Sequence, residues 1–248
     1  MLPNLKIWLN HFEYHSEHPR RLPDGIPNVL TVTERQLIAP SIATFQLGEQ
    51  SSGGNLLRAA YRFAQEHDAA EVARITELLI REEQQHAALL QAFMADHAIP
   101  SRKHHWTDRV FRRIRKWAEL EFALGVLLTA ELIGNVYYRA LETATECQRL
   151  RLLCRMLVAD ELAHVGFESD LLLSMRAEKA APVRVAMDLV HRTFLTCTAM
   201  VVWTTHRAVL KQSGYGLFGF LRACGAQYRF YLQPPHVVTQ RTPGKSSN

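Results

Sequence analysis

Two short stretches each carry a glutamate and a histidine three residues apart: Glu83 and His86 in REEQQHAA, and Glu161 and His164 in ADELAHVG. On a helix that spacing is about one turn, so each pair projects from one face. Around Glu161 and His164 the face is otherwise apolar, with Leu153, Met156, Leu157, Val165 and Leu171 at helical spacing. A carboxylate and an imidazole directed together into a core need a partner, because an unpaired buried charge is very costly. A metal ion satisfies both. One such match carries little weight, since the 12 histidines among 248 residues make roughly 0.8 matches expected by chance.

The rest of the chain adds the specificity. An acid stands directly before each paired glutamate, Glu82 and Asp160. Two further glutamates lie in apolar surroundings: Glu49, and Glu131, the only charge between Phe122 and Tyr138. Each lone glutamate precedes its paired motif by about one helix-turn-helix length, 34 and 30 residues. Those intervals return an antiparallel helix to the same height, so all six side chains can converge at one level of a four-helix bundle. The charges also balance, since four carboxylates, two neutral imidazoles and two divalent cations sum to zero. Without cations the carboxylates repel, and some must take up protons.

This constellation resembles the ferritin-like superfamily of carboxylate-bridged dimetal proteins, over roughly residues 33–177. The resemblance implies an all-α fold, a ferritin-like four-helix bundle with one or more additional C-terminal helices. It implies Glu49, Glu83, His86, Glu131, Glu161 and His164 as metal ligands, with Glu83 and Glu161 bridging and one histidine on each metal. In such proteins an acid before the bridging glutamate holds the opposite histidine. That role falls to Asp160 for His86 and to Glu82 for His164, bonds that fix the ring tautomer and raise ligand basicity. The chain lacks the rubredoxin-like cysteines of a rubrerythrin, and Leu157 stands where arylamine N-oxygenases carry an extra histidine. Two iron ions are the expected cofactor, and manganese or a mixed manganese–iron pair fits the same donors.

The resemblance points first to an O₂-activating oxidase or oxygenase. Ile42, Phe45, Leu79, Leu124, Leu127, Cys154 and Leu157, one or two turns before the ligands, are almost all apolar. They suggest a pocket for a hydrophobic small substrate; packing of a bundle core explains them equally well. Such an enzyme needs O₂ and an external electron donor, for which a ferredoxin is one option. Two other readings stay open: iron handling by ferroxidase activity and storage, and a non-catalytic bundle stabilised by metal. Tyr137 and Tyr138 read as packing residues ahead of a radical or proton-relay role. Glu168 reads either as a bond to the site or as a solvated charge.

These groups must be positioned by long helices. An apolar pattern from Thr33 to His67, with Thr33 and Gln36 as a capping box, predicts a break after Glu49 at Gly53-Gly54. Further helices are expected from about Asp68 to Ala98, around Phe122–Tyr138, from Glu146 to Arg176, and from Pro182 to Gln212 with Gly214 as stop. The run FLTCTAMVVW in the last of these is apolar nearly all round and is expected to be buried on two sides. GYGLFGFLRACGAQYRFYL reads as a short amphipathic helix or a lid. The Phe122–Tyr138 run nearly spans a bilayer in length. A central glutamate is unfavourable there, and no comparable second segment is free of charge, so no transmembrane span is expected.

The domain reading is an N-terminal arm (1–32), the bundle (33–177), a helical extension packed on it (178–232) and a disordered tail (233–248). In the arm, His11, His15 and His18 form a metal cluster only if the segment is helical; a solvated arm is the expectation. The net charge of +5 is not the footprint of a nucleic-acid binder. Cys147, Cys154, Cys197 and Cys224 follow no disulfide or C-x-x-C spacing and read as reduced thiols. With no signal-peptide pattern at the start, a cytoplasmic protein is expected. The basic run at 102–116 reads as a solvated helix start, or as a dock for an acidic ferredoxin or acyl carrier protein. The oligomeric state stays open.

Overall fold

Eight α-helices make up most of the residues described by the computed structural model, 2–50, 53–102 and 119–233, with no strand among them. They are α1 (Leu5–Glu17), α2 (Val32–Glu49), α3 (Gly54–Glu66), α4 (Ala70–Asp96), α5 (Leu120–Thr143), α6 (Gln148–Ala177), α7 (Ala181–Gln212) and α8 (Leu217–Leu232). α5 packs along α6, α2 and α3 along α4, and α4 meets α6, which gives a bundle with α7 and α8 against its side. The basic 103–116 run and the 234–248 tail lie outside the described residues.

Local chemistry sets the ends that matter. The capping box of α2 is Thr31 with Glu34, two residues upstream of the expected Thr33 and Gln36, because Thr31 is the residue with extended backbone at the helix start. Thr31 Oγ1 accepts the Glu34 amide at 3.2 Å, and Glu34 Oε2 accepts the Thr31 amide at 3.0 Å. Glu34 Oε1 also accepts from the Glu146 amide at 2.7 Å and from Thr145 Oγ1 at 3.1 Å, tying this end to the α5–α6 turn. Burial pulls the other way, yet these bonds hold the Glu34 carboxyl down at about 2. At its other end α2 stops at Glu49. Gly53 then has φ +61°, and a Cβ there would lie 2.5 Å from Ile80 Cδ1. Both the left-handed backbone and the missing side chain are needed for α3 to turn onto α4.

The N-terminal residues depart from the expectation of a solvated arm. α1 buries Leu5, Trp8 and Phe12, a narrow stripe at i, i+3 and i+7 that the surrounding histidines obscure in the sequence. Trp8 meets the Phe167 ring edge-on at 6.4 Å and donates its indole N–H to Asp170 at 3.2 Å. Gly166 makes that approach possible, since a Cβ there would stand 2.4 Å from Trp8 Cη2.

α5 and α7 are both long and apolar enough to cross a membrane, but they differ in burial. The apolar window of α5 is 78% buried inside the protein, with Glu131 6% exposed within it. That of α7 is only 17% buried, so among the described residues FLTCTAMVVW is not covered on two sides, which corrects that expectation. α7 buries one face, through His191, Leu195, Thr198, Ala199, His206, Val209 and Leu210, because α2, α5 and α8 all pack on that side. The helix kinks at His206, where φ is −111° and ψ is 17°.

Candidate metal centre

α4 presents Glu82, Glu83 and His86 on successive positions of one face, and α6 presents Asp160, Glu161 and His164 likewise. Glu131 comes from the middle of α5, and Glu49 is the last residue of α2, delivered because the helix stops there. The six side chains converge in two groups. Glu49, Glu83, His86 and Glu161 form one; Glu83, Glu131, Glu161 and His164 form the other. Within each group one ligand atom per residue lies within 4.8 Å of the others, and Glu83 and Glu161 belong to both. His86 Nδ1 is 3.7 Å from Glu83 Oε1 and 3.4 Å from Glu161 Oε1. His164 Nδ1 is 2.9 Å from Glu83 Oε1 and 3.3 Å from Glu161 Oε2.

The far nitrogen of each ring is held from the opposite helix. His86 Nε2 lies 3.3 Å from Asp160 Oδ2, and His164 Nε2 lies 3.0 Å from Glu82 Oε2. A carboxylate on Nε2 keeps the proton there and leaves Nδ1 as the electron-pair donor toward the centre. Glu83 Oε1, His86 Nδ1, both Glu161 carboxylate oxygens and His164 Nδ1 are buried and have no partner outside the cluster itself. Buried polar atoms nearly always have partners, so such a concentration of donor atoms at one point could hold a cation. Oxygen-rich donors with one nitrogen on each side fit two divalent ions.

Protonation tells the same story in the metal-free protein. Burial, then the charge of Glu83, pushes the Glu49 carboxyl well above its ordinary value. Burial, then Glu161 and Glu83, does the same to Glu131, with Glu168 adding to the repulsion. Glu161 goes the other way: against the effect of burial, contacts from Glu131 and His164 hold it well below the usual range. His86 and His164 are raised despite burial, His86 first by Asp160 and His164 first by Glu161. Protons on two acids and two imidazoles therefore supply the positive charge that cations would bring.

Further neighbours surround the six, of which His15, Tyr138 and Glu168 were candidates in the sequence and Arg20, Ser41, His206 and Gln46 were not. Arg20 Nε pairs with Asp160 Oδ1 at 2.6 Å, and His15 Nδ1 lies 3.6 Å from Glu82 Oε1 and 3.9 Å from Asp160 Oδ1. His15, Glu82 and Asp160 could by themselves hold an ion. The Arg20 guanidinium on Asp160 already supplies a cation, so the trio reads as a support for the two histidines. Tyr138 donates to Glu49 Oε1. Beside it, Ser41 Oγ lies 2.7 Å from the Tyr137 hydroxyl and 2.8 Å from His206 Nδ1, with Phe45 stacked on Tyr137. Glu168 is fully buried, which removes the solvated reading. Gln46, one turn before Glu49, is fully buried with neither amide atom hydrogen-bonded.

Of the pocket candidates, Ile42, Leu79, Leu124, Leu127, Cys154 and Leu157 are buried in the apolar core, and Phe45 is partly buried against it. An open cleft lies elsewhere, lined by Arg62, Phe63, Glu66, Glu121 and Lys179 among others, and none of the six converging residues borders it. Compared with family models, curated proteins and solved structures, the chain matches none.

Proposed function

We propose that the chain is a ferritin-like dimetal protein whose centre, most simply two iron ions, serves an O₂-activating oxidase or oxygenase acting on a hydrophobic small molecule. The observation that carries the reading is the pair of overlapping ligand groups sharing Glu83 and Glu161, with each histidine held from behind by the acid of the opposite helix. Glu83 and Glu161 would bridge, Glu49 and His86 would complete one side, and Glu131 and His164 the other. When bound, a pair of iron ions supplies the electrons that reduce O₂.

The chain's own residues do the rest. Asp160 and Glu82 orient the two rings, and Tyr138 orients Glu49. The pocket candidates Ile42, Leu79, Leu124, Cys154 and Leu157 are buried in the apolar core, and a dry surround of that kind would strengthen every charge interaction at the site. Manganese suits the same donors, and an electron donor such as a ferredoxin would restore the reduced state. The reduced-thiol composition fits a cytoplasmic setting.

Anaerobic titration with ferrous iron, followed by oxygen exposure and mass spectrometry of protein and co-purified small molecules, tests the reading. Two tightly bound ions per chain and rapid metal-dependent O₂ uptake are expected. Two ions with no O₂ uptake would make the metal structural, and hundreds of ions per assembly would make the protein a store.

A further inference from the structure

The outward face of α7 has no cover among the described residues, although it is apolar. Val183, Val190 and Cys197 recur every seven residues, followed three residues later by Ala186, Thr193 and Met200 respectively, and all six are exposed. Val190 is 68% and Leu189 63% exposed, and on the adjoining α8 Phe218 and Phe230 reach 78% and 65%. Isolated apolar residues on a surface are ordinary; a continuous uncharged helix face is not.

The charge around this face is equally uneven. Between Ala180 and Gln233 stand Arg184, Arg192, Arg207, Lys211, Arg222 and Arg229, six basic residues against one acid, Asp188. That acid is engaged within the protein by the Tyr228 hydroxyl at 2.8 Å and by Gln233 Nε2 at 2.9 Å. The segment thus carries a net +5, equal to the excess of the whole chain, so the remainder is neutral overall. All six basic side chains are exposed.

We infer that α7, with α8, docks this protein onto an anionic lipid bilayer, lying in the interface without crossing it. An apolar helix face with basic flanks and exposed phenylalanines matches such a surface in both hydrophobicity and sign of charge. A second copy of the chain matches it in hydrophobicity alone: two-fold pairing would set one basic segment against another, and like charges across an interface are costly. α7 as a whole is long enough to cross a bilayer, but crossing is disfavoured by charge, because a spanning segment would carry Arg192 or Arg207 into the hydrocarbon. The charge-free stretch from Thr193 to Thr205 is about 20 Å long at the helical rise, short of the roughly 30 Å hydrocarbon core. The inference rests on no metal and is independent of the reaction proposed above.

Co-sedimentation of the full chain with vesicles tests it. Phosphatidylcholine containing a quarter phosphatidylglycerol should bind the protein, phosphatidylcholine alone should bind about tenfold less, and raised salt should release it. A Val190→Glu, Met200→Glu double variant and an Arg192→Gln, Arg207→Gln double variant should each lose about tenfold or more in partitioning. All four sites are exposed, so the thermal melt should stay close to that of the wild type. As a second readout, a polarity-sensitive fluorophore on Cys197, the exposed cysteine of the four, should shift to the blue with anionic vesicles only. Failure of the wild type to bind anionic vesicles, or equal binding by both variants, would overturn the inference. A concentration-dependent dimer that Val190→Glu, Met200→Glu abolishes, without vesicle binding, would assign the face to a second copy instead.

Discussion

Tyr138 on α5 donates its phenolic hydrogen to Oε1 of Glu49, the last residue of α2. The bond matters because Glu49 has no following turn of helix to hold it. Burial and the nearby Glu49 charge push the phenol well above its ordinary value, so it stays a donor throughout the useful pH range. Tyr138→Phe should keep the fold and lower metal affinity by about 10–100-fold, the usual result of removing an outer partner of a ligand. Chelator competition would read this directly. Affinity unchanged in the variant would mean that Glu49 is oriented by its helix end alone.

The two acids behind the histidines should behave alike. Asp160→Asn can no longer take a proton's charge from His86, and Glu82→Gln does the same to His164; each should weaken metal binding by about 10–100-fold. Arg20→Gln should show a smaller loss in the same direction, because it acts on Asp160 and touches neither ring. Comparison of the three by the same chelator titration separates a graded support from a set of unrelated surface ion pairs, which would give no loss at all.

Glu131→Gln separates a metal site from a merely stable helix. It keeps the size and removes the charge, so the metal-free variant should melt at or above the wild type while its metal site weakens. The pH dependence has a definite sign. Glu49, Glu131, His86 and His164 all have raised values, so the folded metal-free protein holds more protons than the unfolded chain above the ordinary 4.5 and 6.5. Its stability should therefore decline as pH rises above those ordinary values and through the raised folded ones, while metal binding strengthens in the same direction. The gap in Tm between loaded and empty protein should widen. A gap that narrows with pH would show that protons and metal do not compete.

Glu34 gives a prediction far from the centre. Its carboxylate caps α2 and accepts from the α5–α6 turn, and its value is depressed to about 2. A depressed acid stabilises above its unfolded value of 4.5 and loses that contribution as pH falls toward about 2. Glu34→Ala should cost about 1–2 kcal/mol near neutral pH, as lost caps do, and the difference from wild type should shrink in acid. Denaturant melts at two pH values would measure both parts.

The centre was legible because its chemistry repeats: two Glu-x-x-His pairs, each with an acid before it and a lone glutamate at a helical-hairpin interval. The helix ends near it were legible because Gly53-Gly54 and Gly214 act locally. What was not legible depends on coverage. α1 shows only three buried apolar residues, so the sequence around Trp8 and Phe12 reads as a polar arm until its seat on α4 and α6 is seen. The reverse error occurred at α7, where an apolar run reads as buried although only one face finds a neighbour. The Thr31 cap was misplaced by two residues because threonine at 31 and at 33 looks alike without the backbone angles.

The seating of Trp8 against Gly166, with its bond to Asp170 162 residues away, also sets an order of events in the assembly of the chain. The berth of α1 is built in part from residues of α6, far along the chain, and so long a closure is slow and entropically expensive. α1 is expected to dock after α4 and α6 have met. Until it does, His15 and Arg20 are away from Glu82 and Asp160, and that flank of the acid cluster is open to ions from solution. Pulse-labelled hydrogen exchange during refolding should show amides of α1 protected later than those of α6; simultaneous protection would reverse the order. α1 is then the door closed last.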